Sequence, residues 1–297
     1  MNLDKIARQR RPKCNLVDRD DDIFHFLWKW KCASTSTLAR KFFKNGSRDA
    51  AYKRLVLLHR DKYIDIEVIE KNKYALVWTL REKGYLHIEQ RIKNLAVSGF
   101  ASESLFHDHL VSAFHLGEWL KYPPEFTRVF TEQQLRRVAP DNWPDWLPHS
   151  QEHRPDGYSM YFVGTKQVVV AFEVELNVKA HARYDTVVEF YDNKKNISFV
   201  FWLVESKSDL ASIKKAFQSF GVRDWSKHHF IYLDDFRKNG WDAKFVEGKH
   251  HRTTPAKFLN PNGVSRLSLE SPVRETGHLL NLEKKPMNLS PSVDIKK

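Results

Sequence analysis

The chain has 297 residues, 41% of them hydrophobic, with nine Trp and twenty Phe. This apolar content can fill two ordinary domains or one large one, and it excludes an intrinsically disordered chain. The formal net charge of +12 favours a polyanionic partner, with nucleic acid first, although solubility alone also explains such a charge.

Cysteine usage and hydropathy point to a reducing compartment. Cys14 and Cys32 are the only cysteines, which is too few for a disulfide framework or a cysteine-rich zinc site. The basic N-terminus is not followed by an apolar core, and no run of about 18 uncharged apolar residues occurs. We therefore expect a cytoplasmic protein that is neither secreted nor associated with a membrane.

Residues 1–19 predict a basic, flexible arm, and residues 20–98 a first domain. In 20–31, Ile23, Leu27 and two further apolar residues recur at helical spacing behind three acids that suit a helix N-terminus. Residues 34–43 predict a second, short helix, and the stretch after Ser47, a helix-capping residue, predicts a third. Two β-like stretches, IDIEVIE and KYALVWTL, follow.

Three helices followed by a hairpin is the order of a winged helix-turn-helix. The third helix carries basic residues away from its apolar face, and the hairpin tip is Lys-Asn-Lys. We therefore predict contacts with duplex DNA through Arg48, Lys53, Arg54, Lys71 and Lys73. The alternative is a small helical subdomain with no DNA contact.

Residues 99–247 predict a second domain of a different character. A helical stretch leads into a loop rich in Pro and Trp, and then strands and helices alternate. This order predicts a mixed αβ sheet with helices on both faces. Residues 248–297 are basic and aperiodic, which predicts a mobile tail.

Three acids and a lysine stand at the start of one predicted strand and the end of the next. Asp156 lies in RPDG, and Glu173 and Glu175 alternate near the end of the strand that precedes Lys179. Carboxylates two residues apart on a strand share one side, where they repel unless a cation lies between them. If Asp156 joins them, the three acids can hold Mg²⁺ or Mn²⁺, and Lys179 can stabilise charge that develops on a phosphate.

Each of these residues also has a structural interpretation. Asp156 with Gly157 is typical of a tight turn, and the two glutamates can be an exposed strand end paired with Lys179 and Arg183. Lys179, Arg183 and Tyr184 can equally form one helix face, and water is a simpler nucleophile than Tyr184.

The pattern Pro-Asp, then Glu-x-Glu on a strand, then a nearby lysine resembles the active site of the PD-(D/E)XK nucleases. The resemblance implies a restriction-endonuclease-like fold and metal-dependent cleavage of DNA by activated water. It also implies an acid from a preceding helix, for which Glu103 is the candidate. Glu175 stands where that superfamily usually has its lysine. Either Glu175 replaces the lysine, or Lys179 is its displaced equivalent, or catalysis is lost.

The arrangement is similar, over residues 20–235, to the replication-relaxation and mobilisation proteins of plasmids and integrative elements. The motifs that carry this similarity are HDHL at residues 107–110, RPDG and EVELNVKAHARY. This relaxase-like resemblance implies nicking of duplex DNA at a transfer or replication origin. It also implies possible partners in conjugation, replication or transposition, and a possible homodimer.

Two other interpretations remain open from the sequence. One is a DNA-binding accessory or regulatory protein that uses the nuclease fold as a scaffold, and the other is a transposase-like or defence endonuclease that works with a partner. His107 and His109 fall on different sides of a helix, which argues against a zinc pair. His107 with Glu103 has i, i+4 spacing and can support the metal site, and the alternative is that the histidines only pack.

Overall fold

The structure is a computed structural model that describes residues 14–69, 75–116, 128–163, 166–177, 179–221 and 225–259. All of these belong to one compact unit, and a second unit, Ser265–Lys297, lies entirely outside them. The predicted hairpin tip with Lys71 and Lys73 also lies outside the described residues. Within these ranges, no helix is long and apolar enough to cross a membrane.

The first part of the chain folds into four helices and a small antiparallel sheet. In chain order these are α1 (Asp18–Trp30), β1 (Cys32–Ser34), α2 (Thr35–Phe42), α3 (Arg48–Arg60), β2 (Ile64–Ile69), β3 (Ala75–Leu80) and α4 (Glu82–Ile88). Strand β3 lies between β1 and β2. The hydroxyls of Ser34 and Ser47 accept hydrogen bonds from the first turns of α2 and α3, so both predicted helix starts are confirmed.

The second part is built on a five-stranded mixed sheet. Its strands, in spatial order, are β4 (Arg128–Thr131), β5 (Gly157–Val163), β6 (Lys166–Glu175), β7 (Phe199–Val204) and β8 (His228–Tyr232). Strands β4 to β6 are antiparallel, and β6 to β8 are parallel. The helices are α5 (Leu105–Leu116), α6 (Glu132–Arg137), α7 (His181–Asn193), α8 (Lys207–Phe220), α9 (Leu233–Asn239) and α10 (Pro255–Leu259).

Helices cover both faces of this sheet, as its alternation of elements predicts. Val169 and Ala171 of β6 belong to one core cluster, which includes Tyr191 of α7 and Ile213 of α8. Their neighbours on β6 point the other way, where Phe172 packs against Phe114 of α5. Burial on both faces explains why β6 is apolar at successive positions. It also means that the charges near its end, on Glu173 and Glu175, are buried.

Helix α1 packs directly against the second part of the chain. The Trp28 indole N–H donates to the Gly99 carbonyl at 3.1 Å, and the Thr131 hydroxyl donates to the Lys29 carbonyl at 2.8 Å. Buried residues of α1 and of the five-stranded sheet share one core cluster. Removal of residues 1–98 would therefore expose apolar surface of the second part.

Residues 248–259 do not form the predicted mobile tail. The Arg252 N–H donates to the Phe245 carbonyl at 2.9 Å, and the Phe258 ring of α10 meets Phe199 edge-on at 4.6 Å between centroids. The prediction is wrong for this stretch. It was based on the lack of a periodic apolar pattern, whereas single aromatic side chains such as Phe258 supply the packing contacts. At the other end of the chain, α1 begins at Asp18, inside the predicted arm.

Arg54 was predicted to contact DNA, and the structure corrects this. Its Nε donates to Oδ1 of Asp20 at 2.9 Å, and its terminal nitrogen forms an ion pair with the same carboxylate. The Asp20 side chain is fully buried. Because a buried carboxylate is costly without a partner, Arg54 holds α1 against α3 and is not available to a phosphate.

Replacing Arg54 with Met therefore should leave Asp20 as a buried, uncompensated charge. We expect the free energy of unfolding to fall by about 3 kcal/mol, as for other broken buried pairs. The exposed Arg48 on the same helix is the matched control, because Arg48→Met should change stability by less than about 0.5 kcal/mol. Urea denaturation of both variants tests this, and equal losses of stability would contradict it.

Candidate active site

Strand register brings Asp156 beside Glu173. Gly157 at the start of β5 pairs with Phe172 of β6, so Asp156 lies opposite Glu173. The Asp156 N–H donates to the Phe172 carbonyl at 3.0 Å, and Oδ2 of Asp156 accepts from the Val174 N–H at 2.7 Å. The backbone of β6 thus fixes the Asp156 carboxylate next to the strand that carries Glu173.

The glycine after Asp156 serves a close approach and not a turn. Gly157 belongs to β5, and a Cβ there would lie 2.7 Å from Nε2 of His115. His115 is fully buried against Trp30 and Phe172, and burial lowers its pKa to about 3, which keeps it neutral. The tight-turn interpretation of Asp156 and Gly157 is therefore wrong.

A cleft of about 490 Å³ opens beside Asp156 and Glu173. Of the residues predicted to take part in catalysis or to support it, six line this cleft: Glu103, His107, Asp156, Glu173, Lys179 and Arg183. The other three, Glu175, His109 and Tyr184, are buried and are not part of its lining. The predicted constellation is thus brought together in part.

His107 of α5 is the partner of Asp156. Its Nε2 lies 3.4 Å from Oδ2 of Asp156 and 3.2 Å from the Val174 carbonyl oxygen, and its Nδ1 lies 3.6 Å from Oδ1 of Asp108. Burial disfavours a charged imidazole, but the two aspartates outweigh it and raise the pKa of His107 to about 11. Burial alone would raise the pKa of Asp156, but the charge and contact of His107, the Val174 N–H and the charge of Lys179 together lower it.

Glu173 has a separate pair of donors. Its Oε1 lies 2.6 Å from Nε2 of His153 and accepts from the buried hydroxyl of Tyr191. Neither His153 nor Tyr191 was predicted as a site residue. His153 stands three positions before Asp156, directly ahead of RPDG, so its place beside that motif was a usable signal.

Glu175 is paired with Lys179 and does not line the cleft. Its Oε2 pairs with Nζ of Lys179 at 2.9 Å, and Tyr184 accepts a hydrogen bond from the Lys179 N–H at 3.2 Å. Burial raises the pKa of Glu175 and also that of the Tyr184 hydroxyl. Tyr184 is thus a buried phenol that supports the loop after β6. Lys179 itself lines the cleft, and its charge helps to lower the pKa of Asp156.

Two further predicted residues are placed differently from expectation. Glu103 precedes α5, so it does not share a helix face with His107. It is exposed and pairs with Arg136 at 2.6 Å, and this arginine lowers the pKa of Glu103. His109 is buried on α5, which agrees with a packing role.

A buried lysine from α1 completes the cleft. Lys31 caps the C-terminus of α1 with a positive φ of 63°. Its Nζ lies 3.1 Å from Oδ1 of Asp108 and 2.9 Å from Oε2 of Glu132. Of the described residues before 99, Lys31 alone lines the cleft. It was not predicted because its partners lie 77 and 101 positions away in the chain.

The acids fit a divalent cation only in part. Among the described residues, no group of three His, Cys, Asp or Glu side chains is arranged to hold a metal ion. Glu175 is committed to Lys179 and does not fit. Asp156 and Glu173 do fit, because in the described part of the chain Oδ1 of Asp156 and Oε2 of Glu173 accept no hydrogen bond, and carboxylate oxygens are ligands that Mg²⁺ and Mn²⁺ favour.

Comparison with known proteins gives limited similarity. No family model and no curated protein matches the chain. Among solved structures, the chain is similar to the restriction endonuclease FokI bound to DNA, with 11% sequence identity and a TM-score of 0.26. The match covers 76% of this chain and 45% of that one, so the chain spans less than half of the length of FokI. A functional assignment therefore rests on the geometry of the cleft.

The raised pKa of His107 gives stability a defined pH dependence. Because its pKa rises from 6.5 to about 11 on folding, the protonated imidazole contributes fully below pH 6.5. This contribution is lost as the pH rises towards 11. Relative to His107→Gln, the wild-type protein should lose up to about 1.4 kcal/mol per pH unit between about pH 7 and pH 9. Urea denaturation at several pH values measures this, and parallel curves for the two proteins would refute it.

Proposed function

We propose that this protein hydrolyses phosphodiester bonds in DNA with the help of Mg²⁺ or Mn²⁺, as an endonuclease or nickase. The observation that supports this is the meeting of Asp156 and Glu173 from paired strands in one cleft, each with an unused carboxylate oxygen. Cationic side chains of Arg154, Lys179 and Arg183 line the same cleft, which suits a phosphate between the acids and the basic groups.

Each side chain of the cleft has a separate role in the proposed hydrolysis. Asp156 and Glu173 would hold the divalent cation, which when bound lowers the pKa of a water and offsets charge on the phosphate. Lys179 offers a positive charge where negative charge develops on the phosphate oxygens. Glu175 orients Lys179 through their 2.9 Å ion pair. Asp108, which pairs with Lys31, lies 3.6 Å from Nδ1 of His107 and favours the charged imidazole next to Asp156.

The first part of the chain supports a DNA-binding role. The order of three helices and then two paired strands, with a short strand on the far side of β3, supports the assignment of a winged helix. Arg48 and Lys53 are exposed on α3, the position of the helix that enters the major groove in such domains. We assign phosphate contacts to these two residues and not to Arg54, which pairs with Asp20.

The motif resemblance carries the more specific part of the proposal. On that basis the substrate is duplex DNA at a replication or transfer origin of a plasmid or integrative element. Proteins of conjugation, replication or transposition, and a second copy of the chain, are then the expected partners.

A second candidate function is sequence-specific DNA binding without cleavage. It is favoured by the internal pairing of every acid: Asp156 with His107, Glu173 with His153, and Glu175 with Lys179. A cleft balanced in this way is stable without a bound cation. The position of Glu175, where the resembling nucleases have a lysine, favours the same interpretation.

Nicking of supercoiled plasmid in the presence of Mn²⁺ separates these candidates. If the protein is a nuclease, Asp156→Asn and Glu173→Gln should each lower the nicking rate by at least about a hundredfold, since each removes one cation ligand. Gel-shift affinity for DNA should stay within about twofold of wild type, because the substitutions add no repulsion to a phosphate.

The control is Glu189→Gln, which changes an exposed acid of α7 and should leave nicking unchanged. Glu175→Gln should reduce nicking less than Glu173→Gln does, because Glu175 acts only through Lys179. Specific footprinting by a wild-type protein that cuts no form of DNA would instead establish the binding-only function.

Salt dependence tests the winged helix. Arg48→Ala and Lys53→Ala should each flatten the slope of log affinity against log salt concentration by about 0.9, the value for one phosphate contact. These point variants are preferable to a deletion of residues 1–98, which would leave Asp108 and Glu132 without Lys31. Unchanged slopes in both variants would exclude α3 as the helix that contacts DNA.

A further inference from the structure

Most charged side chains that line the cleft have an ion-pair partner, whereas Arg154 and Arg183 have none among the described residues. Lys31 pairs with Asp108 and Glu132, and Arg136 pairs with Glu103 and Glu132. Arg154 and Arg183 line the same cleft and are exposed. Within the described part of the chain, neither guanidinium forms an ion pair or a side-chain hydrogen bond.

Carboxylates line the same cleft as both arginines. Glu152 lies two positions from Arg154 and lines the cleft, yet it pairs with Lys194 at 3.4 Å. Glu173 also lines the cleft, and it pairs with His153. Among the described residues the two guanidiniums thus have no partner, although the cleft contains carboxylates, and their hydrogen-bond donors are available to a bound anion.

The backbone on which each arginine stands is held in place. Arg154 is two residues before Asp156, whose backbone N–H is bonded to β6, and Pro155 between them is buried. Arg183 lies in the first turn of α7, where its N–H donates to the Ala180 carbonyl at 3.0 Å. That turn contains no acidic residue, and the N-terminal end of a helix favours anions.

We propose that Arg154 and Arg183 form a phosphate-binding subsite that holds two phosphates of one nucleic-acid strand beside Asp156 and Glu173. A planar guanidinium binds two phosphate oxygens at once, so two such groups fit successive phosphates of a strand. The subsite makes a polynucleotide the substrate, in preference to a mononucleotide with one phosphate. This inference rests on the proposed function, because it assigns the scissile bond to the same cleft.

Binding without cleavage tests the subsite. Fluorescence anisotropy with a labelled duplex oligonucleotide in EDTA, over a range of salt concentrations, compares the full-length wild-type protein with Arg154→Ala, Arg183→Ala and the double variant. Each single variant should flatten the slope of log affinity against log salt by about 0.9, and the double variant by about 1.8. Each single variant should also bind about tenfold more weakly at low salt.

Two further sets of variants sharpen the result. Arg154→Lys and Arg183→Lys should keep the wild-type slope but bind more weakly, because lysine keeps the charge and loses the two-pronged contact. Lys215→Ala removes an exposed cation of α8 that does not line the cleft, and it should match the wild-type protein in both slope and affinity. All of these side chains are exposed, and matching thermal unfolding profiles confirm that the variants fold.

The outcomes separate the subsite from the proposed hydrolysis. An unchanged slope in either alanine variant overturns the two-phosphate subsite, whether or not the wild-type protein cuts DNA. A wild-type protein that never nicks DNA in Mn²⁺ overturns the proposed hydrolysis alone. Flattened slopes in EDTA then still establish the phosphate contacts, because that measurement does not depend on cleavage.

Discussion

Asp156, Glu173 and Glu175 place three like charges on two paired strands, next to a fully packed sheet. A buried carboxylate is costly unless a cation or several donors compensate it. The protein supplies a separate partner for each: His107 of α5, His153 of the loop before β5, and Lys179 of the loop after β6. Behind them, Lys31 of α1 compensates Asp108 and Glu132. The elements that meet at the cleft thus carry partners for its buried charges. Through Lys31, the first part of the chain contributes to this cleft.

This compensation has a consequence for any ligand. A divalent cation at Asp156 and Glu173 competes with His107, whose charge compensates Asp156, and with the contact of His153 to Glu173. A phosphate does not have to displace a protein carboxylate, because Arg154 and Arg183 have no acidic partner within the described ranges. The cleft therefore favours anions in its free state and gains a cation only where unused carboxylate oxygens remain. The nuclease function requires a divalent cation to bind at Asp156 and Glu173, and the binding-only function does not.

Local signals predicted much of the fold. Serine caps marked the starts of α2 and α3, and the apolar run that ends in Glu173 and Glu175 marked β6, because capping and strand burial depend on neighbouring residues. The same reasoning failed for Glu175 and Arg54. Both looked available from their spacing, yet Lys179 and Asp20 engage them, and those contacts depend on side-chain direction and burial. Residues 248–259 were missed because their packing comes from isolated aromatic residues such as Phe258, without a repeating pattern.

The amino-acid sequence was sufficient to predict the basic character of the protein, the order of its helices and strands, and the motifs that place Asp156, Glu173 and Lys179 near one another. These follow from composition and from interactions between residues close in the chain. Packing in three dimensions was needed to show which carboxylates share the cleft and that His153 and Lys31 belong to it. It also showed that Arg154 and Arg183 have no acidic partner among the described residues. The reason is that Coulomb and hydrogen-bond energies depend on distance in space and on burial, and for Lys31 the partners are separated by 77 and 101 positions.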